Sequence, residues 1–105
     1  MREMRRKDRQ LTDEEAMDVV RKGEYGVLAT VGDDGKPYSV PLSYVLDEEK
    51  GALYFHGTAA GGQKMDNILA NPSVCFTVVM DTEVLPAQFS TKYHSANVFG
   101  TAKVV

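Results

Sequence analysis

The pattern of apolar and polar residues predicts one helix near the start of the chain and strands over most of the rest. Residues 12–22 carry apolar side chains at helical spacing, with acidic residues in the first turn and basic residues in the last. Thr12 and Glu15 have the spacing of a capping box, and Gly23 follows as a C-terminal stop. The pattern therefore predicts a helix that packs one face against a sheet.

From Tyr25 onward the periodicity becomes that of β-strands. The predicted strands cover residues 25–31, 36–46 and 52–55, and the turns between them contain the Gly and Asp residues typical of hairpins. Pro41 lies inside the second of these strands. Because proline cannot donate a hydrogen bond to a neighbouring strand, we expect a sheet edge or a bulge at this position.

The sequence pattern in the second half of the chain predicts one more helix and further strands. A helix is predicted over residues 64–70, ending at Asn71-Pro72, and a strand over residues 73–80. The remaining predictions are a loop at 81–88, a short turn or helix at 89–94, and a strand at 96–105 with either a bulge or a close approach at Gly100. Because hairpins dominate and the helices are peripheral, we predict a mainly β fold, a small antiparallel barrel with added helices.

Size and composition predict one domain over residues 1–105, since 105 residues with 43% hydrophobic content support a single modest core. The only cysteine, Cys75, excludes an internal disulfide. A net charge of −3 gives no field that favours nucleic acid, and no apolar run is long enough to cross a membrane. With no signal peptide, we expect a cytoplasmic protein without nucleic-acid or membrane partners.

The residues at the two ends of the chain lead to separate predictions. Residues 1–10 form a basic arm, which is either solvated, wrapped around a partner subunit or in contact with an anionic ligand. At the other end, Val104 and Val105 continue an apolar β pattern. Because a closed barrel needs at least one more strand, we expect that either another chain completes the sheet or the chain is a fragment.

The segment over residues 53–67 has the order strand, small-residue loop and helix start, with Lys64 at the helix start. Glycines allow backbone N–H groups to point inward, the helix N-terminus carries partial positive charge, and the lysine adds a full charge. This arrangement favours a ligand that carries a phosphate. The alternative is an ordinary strand-to-helix connection with a surface lysine.

The sequence contains few residues that could catalyse a reaction without a cofactor. His56 and His94 are the only histidines, and the sequence has no metal-ligand spacing and no G-x-S-x-G motif, so we predict no metal site. A cofactor is therefore expected to carry any difficult chemistry. Near Pro41, the interrupted strand leaves backbone groups able to meet a flat heteroaromatic ring, so one ligand with a planar ring and a phosphate tail fits both segments.

Four segments in order resemble the pyridoxamine 5'-phosphate oxidase-like, FMN-binding split-barrel superfamily, in particular its 5-nitroimidazole-resistance branch. They are the arginine-rich residues 4–9, YGVLAT at 25–30, PYSVPLSY at 37–44, and YFHG at 54–57 running to QKMDN at 63–67. NPSVCF at 71–76 and VFG at 98–100 also fit. The resemblance implies an antiparallel split β-barrel of the FMN-binding type, with FMN held at a homodimer interface.

The resemblance also implies roles for individual residues. Those implied to line the isoalloxazine ring are Val40, Pro41, Leu42 and Ser43, and those implied to hold the ribityl phosphate end are His56, Gly57, Gln63 and Lys64. Many relatives have histidine directly before the lysine, whereas this chain has Gln63, which can donate a hydrogen bond but carries no charge. His56 is also the candidate catalytic residue.

The function implied is an FMN-dependent oxidoreductase that reduces a small acceptor, such as a 5-nitroimidazole, with electrons from a reduced nicotinamide. A non-enzymatic split barrel that binds flavin or heme is the alternative. A barrel used for nucleic-acid or protein contact is disfavoured by the acidic net charge.

Overall fold

A computed structural model describes residues 13–56, 62–85 and 90–103, with backbone alone for residues 81–85 and 90–93. The elements are α1 (Asp13–Lys22), β1 (Tyr25–Val31), β2 (Pro37–Asp47), β3 (Ala52–Phe55), α2 (Gln63–Ala70), β4 (Ser73–Leu85) and β5 (Ser90–Thr101). The predicted mainly β fold with peripheral helices is confirmed. The basic arm and Thr12 of the predicted capping box lie outside the described residues.

The strands form a five-stranded antiparallel sheet in the order β3-β2-β1-β4-β5, curled into a half-barrel. Strand β2 changes partner along its length, because residues 37–43 pair with β1 and residues 44–47 pair with β3. Pro41 pairs with Val27, and among the described residues no strand pairs with its other side. The predicted sheet edge at Pro41 is therefore confirmed, and the β1–β2 register passes through it without a bulge.

The last two strands are longer than the sequence pattern predicts. The loop predicted over residues 81–88 is wrong as far as Leu85, and the turn or helix predicted over residues 89–94 is wrong from Ser90 onward. Strand β1 pairs with β4 only at residues 75–78, so beyond that point β4 and β5 form a two-stranded ribbon. The sequence of this ribbon lacks the alternation that marks the other strands, so the pattern did not reveal it.

The irregularity in the β4–β5 pair also differs from the prediction. Gly100 pairs with Val74 in unbroken register, whereas the register shifts between Met80 and Glu83. The bulge predicted as one alternative at Gly100 is therefore wrong. The shift occurs where the ribbon leaves the sheet, a position at which pairing with β1 no longer constrains β4.

The core lies between α1 and the inner face of the sheet, and its centre is the ring of Phe76. This ring meets Tyr44 edge-on at 5.1 Å and Phe55 at 4.8 Å, both measured between ring centroids. Gly26 on β1 leaves the space into which the ring packs. The buried apolar side chains are those of Val19, Val20, Leu28, Phe76, Val78 and Ala96.

The end of α1 is held to β2 by the hydroxyl of Tyr44. This hydroxyl lies 2.6 Å from the carbonyl oxygen of Val20 and 3.2 Å from that of Gly23. The Val20 carbonyl belongs to the last turn of α1, where intrahelical partners run out, and Gly23 directly follows the helix. Burial also raises the pKa of the Tyr44 phenol, which keeps it protonated as a donor.

Replacing Tyr44 with phenylalanine is expected to lower the free energy of unfolding by about 1 kcal/mol, since it removes this hydrogen bond while keeping the ring. Urea denaturation followed by circular dichroism measures the change. Tyr54→Phe is the matched control, because Tyr54 is exposed. Equal stability of the two variants would contradict the role given to the hydroxyl.

A charged network on the surface joins α1 to the turn before β3. Arg21 Nε lies 2.6 Å from Glu48 Oε1, and Arg21 Nη1 lies 2.8 Å from Glu14 Oε1. The hydrogen bond from Arg21 lowers the pKa of the Glu48 carboxyl. Because these groups are solvent-exposed, the network contributes little to stability and serves mainly to orient the turn.

Candidate functional site

The start of α2 is built in a way that leaves hydrogen-bond donors available. The N-cap residue is Gly62, whose φ of 141° lies in a region that favours glycine, and it supplies no side-chain cap. No atom of the described residues would lie within 4 Å of a β carbon at Gly62. The first N–H groups of α2 have no intrahelical acceptor, so they are able to bind an anion from the open side.

Lys64 lies in the first turn of α2 and is half-buried. Among the described residues it has no hydrogen-bond or ion-pair partner. A cation at a helix N-terminus opposes the helix dipole and costs about 0.3–1 kcal/mol, which Asp66 in the same turn offsets only in part. The lysine and the helix N-terminus therefore add their positive potentials at one place, as an anion-binding site requires.

Gln63, next to Lys64, belongs to a buried polar network. Gln63 Nε2 donates to Asn67 Oδ1 at 2.7 Å, and Asn67 Nδ2 donates to Thr30 Oγ1 at 3.0 Å. Asn67 is only 2% exposed and Thr30 only 1%. The network thus connects the first turn of α2 to the inner face of β1.

Sequence reasoning missed the network, although a signal for it exists. Asn67 lies one turn from Lys64 and beside Ile68, which packs against the core. An amide at a helix position that faces a sheet needs a polar partner. The partner is Thr30, a hydroxyl residue among the apolar inward positions of β1.

The four residues predicted to line a flavin ring do not share one surface. Val40 and Leu42 are half-buried and pack against the core, whereas Pro41 and Ser43 are exposed on the opposite face of β2. This separation follows from the two-residue period of a strand. The side chains of Pro41 and Ser43 can therefore border a ligand from the outer face, and those of Val40 and Leu42 support the strand from within.

His56 directly follows β3 and is exposed. It forms no hydrogen bond or ion pair with another described residue. Gly57, the other residue predicted to hold the phosphate end at this point, lies outside the described residues.

The outer face of the sheet carries an unusual number of exposed apolar side chains. They are Tyr25, Val27, Val45, Tyr54, Val79 and Phe99, with Val45 66% and Phe99 56% exposed. The pairing register places Pro41 beside Val27 and Ser43 beside Tyr25 on this same face. The face will be called the outer apolar face.

Other kinds of site find little support in the described part of the chain. No three His, Cys, Asp or Glu side chains there converge as a metal site would require. None of the helices described is long and apolar enough to span a membrane. A cavity of about 250 Å³ lies between residues 22–25 and 79–80, and none of the predicted site residues lines it.

The chain is similar to a known protein family and to a curated relative. The family model described as pyridoxamine 5'-phosphate oxidase matches residues 12–105. A curated relative from Streptomyces rimosus subsp. rimosus, the 5a,11a-dehydrotetracycline/5a,11a-dehydrooxytetracycline reductase, is 33% identical over 87 residues, which cover 82% of this chain and 58% of the relative.

A solved structure shares the fold. It is a Bacteroides thetaiotaomicron protein described only provisionally as a 5-nitroimidazole antibiotic resistance protein, with a TM-score of 0.71 and 19% identity. The match covers 88% of this chain and 55% of that one, so the chain spans less than three-fifths of either protein. The structural likeness confirms the predicted split barrel.

Proposed function

Because this chain belongs to the pyridoxamine 5'-phosphate oxidase family, we propose that it is an FMN-dependent oxidoreductase that reduces a small, flat acceptor with electrons from a reduced nicotinamide. The observation that carries the proposal is Lys64. It is a half-buried cation without a partner among the described residues, in the first turn of a helix with no side-chain cap. A ligand phosphate is the group that this turn accommodates best.

The residues that the structure describes fit FMN at two places. The Lys64 ammonium and the first N–H groups of α2 would hold the phosphate, and no described residue would lie within 4 Å of a β carbon at Gly62 beside them. Pro41 and Ser43 would border the ring from the outer face, since the free edge of β2 lies there. Gln63 has one amide hydrogen committed to Asn67 and keeps a second for the ligand.

When bound, FMN supplies the two-electron transfer that side chains do not perform. The chain's own residues would bind FMN, orient it and shield it. Lys64 neutralises phosphate charge, the backbone of β2 at Pro41 offers a rigid edge, and His56 is the proposed donor of a proton to the reduced acceptor. The exposure of His56 is compatible with contact to a substrate that enters from solvent.

The acceptor class is a flat, conjugated and electron-poor molecule. The resemblance of the sequence to nitroimidazole-resistance proteins suggests a nitroaromatic acceptor. The Streptomyces relative, named as a reductase of 5a,11a-dehydrotetracycline, favours a conjugated polycyclic acceptor as a second candidate. Both classes need the same open approach to a flat ring, so they are alternatives for one site.

Nicotinamide oxidation under anaerobic conditions tests the activity. The purified protein, with and without added FMN, is mixed with NADH or NADPH and with a 5-nitroimidazole or 5a,11a-dehydrotetracycline. We expect oxidation that depends on both FMN and the acceptor. Flavin binding without turnover of either acceptor would instead support the non-enzymatic flavin module, and a Soret band on titration with heme would support the heme-binding one.

The protein is also proposed to be a homodimer with the cofactor site at the subunit interface. The outer apolar face exposes six apolar side chains on one side of the sheet, and large exposed apolar patches on proteins mark interaction surfaces. A second copy that covers this face would enclose the side of β2 that carries Pro41 and Ser43. A cytoplasmic location, where reduced nicotinamide is available, stays a prediction.

Light scattering tests the dimer. We expect the wild-type protein to have twice the mass of one chain, and the double variant Val45→Lys/Phe99→Lys to have the mass of a monomer, because four lysines would then meet across the interface. Leu69→Lys is the control, since Leu69 is exposed on α2 and not on the outer apolar face. A monomeric wild-type protein would contradict the proposal.

A further inference from the structure

The most deeply buried polar side chain of α2 is that of Asn67, which has no proposed contact with a ligand of its own. Asn67 is 2% exposed, donates to Thr30 Oγ1 at 3.0 Å and accepts from Gln63 Nε2 at 2.7 Å. Its burial is expensive unless each of these hydrogen bonds is made. Such a group stabilises one particular placement of the helix against the sheet, which an apolar residue of similar size would not specify.

The fit around Asn67 extends to the turn between β1 and β2. A β carbon at Gly32 would lie 2.7 Å from Asn67 Oδ1, so the glycine leaves the space that the amide fills. Gly32 is buried, and its N–H donates to the carbonyl oxygen of Lys36 at 3.2 Å. Strand β1 and the turn that follows it therefore each fix one side of the Asn67 amide.

Helix α2 needs this attachment because it is short. Its eight residues are too few to hold a helix in water by themselves, so contacts with the sheet determine where it lies. Gln63 is bonded to Asn67, and Lys64 is the next residue along the same turn. A shift of Asn67 therefore moves both residues.

We infer that Asn67 is a positioning residue for the phosphate end of the flavin. It does not touch the ligand, but its hydrogen bonds to Thr30 and Gln63 place the first turn of α2, and with it Lys64, where the phosphate binds. The inference rests on the proposed function, because it concerns the same site. A positioning role differs from general stabilisation in its effect on binding. Loss of Asn67 would weaken binding of the phosphate end and leave the ring contacts on β2 unchanged.

Equilibrium titrations with FMN and with riboflavin, which lacks the phosphate, test the inference in the whole 105-residue chain. The variants are Asn67→Ala and the milder Gly32→Ala, which displaces the amide without removing it. Ile68→Val is the matched control, because it loosens the apolar contact of the same helix. Each titration is made at a temperature at which circular dichroism shows the variant to be folded.

We expect the dissociation constant for FMN to rise about tenfold in Asn67→Ala and less in Gly32→Ala, with riboflavin affected less than about twofold. Ile68→Val should leave the FMN-to-riboflavin ratio unchanged. Equal weakening of FMN and riboflavin, or no weakening, in both network variants would overturn the inference while leaving the proposed function intact. A wild-type protein with no preference for FMN over riboflavin would overturn the phosphate site itself, and the inference with it.

Discussion

Replacing Gly26 with alanine is expected to lower the free energy of unfolding by about 3 kcal/mol. A β carbon at this position would lie 2.5 and 2.6 Å from two ring atoms of Phe76 and 2.6 Å from the carbonyl oxygen of Thr77. Phe76 is 2% exposed and is held by the rings of Tyr44 and Phe55. The ring would have to shift against these neighbours, and the Thr77 carbonyl belongs to a paired strand.

Chemical denaturation measures this effect, and the chain offers a matched control. Gly100 lies on β5, and a β carbon there would meet nothing within 4 Å. Gly100→Ala is therefore expected to be neutral or slightly stabilising, because alanine loses less conformational entropy on folding than glycine. Similar stabilities for the two variants would show that the packing of Phe76 against Gly26 is not as described.

Replacing Lys64 with alanine is expected to weaken FMN binding by about 1–3 kcal/mol, which corresponds to about a fivefold to 150-fold increase in the dissociation constant. The reason is the loss of a charge-assisted bond to the phosphate at a site where the helix N-terminus adds to the same positive potential. Riboflavin binding should change little, since it lacks the group that Lys64 contacts.

Quenching of flavin fluorescence on titration with protein measures both affinities. Lys50→Ala is the control, because Lys50 is exposed in the turn before β3. Raising the salt concentration should weaken FMN binding to the wild-type protein more than to Lys64→Ala, since screening acts on the charge that the variant has lost. Identical dissociation constants for FMN in Lys64→Ala and wild type would reject the role of Lys64.

The strands of the main sheet could be predicted from the sequence because one of their faces is buried. Strand β1 alternates buried and more exposed residues from Tyr25 to Val31, and the predicted boundaries match. The β4–β5 ribbon could not be predicted, since it extends beyond its pairing with β1 and its sequence shows no period of two. Pro41 was informative because its missing N–H restricts it to a sheet edge.

The positions of the candidate site residues could be predicted only where the signal is local in the sequence. Lys64 is a local signal, since its place at a helix start depends on a few neighbouring residues. The hydrogen bond between Asn67 and Thr30 joins residues 37 positions apart, and no local pattern encodes that distance. Treating residues 40–43 as one ring-binding surface ignored the alternation of side chains along β2, which places Val40 and Leu42 in the core.

A crystal structure of the protein grown with FMN tests the central claim most directly. The account predicts that the phosphate lies within hydrogen-bonding distance of Lys64 Nζ and the first N–H groups of α2, with the ring along the β2 edge at Pro41 and Ser43. Flavin bound elsewhere, for example in the cavity lined by Tyr25 and Met80, would contradict the account.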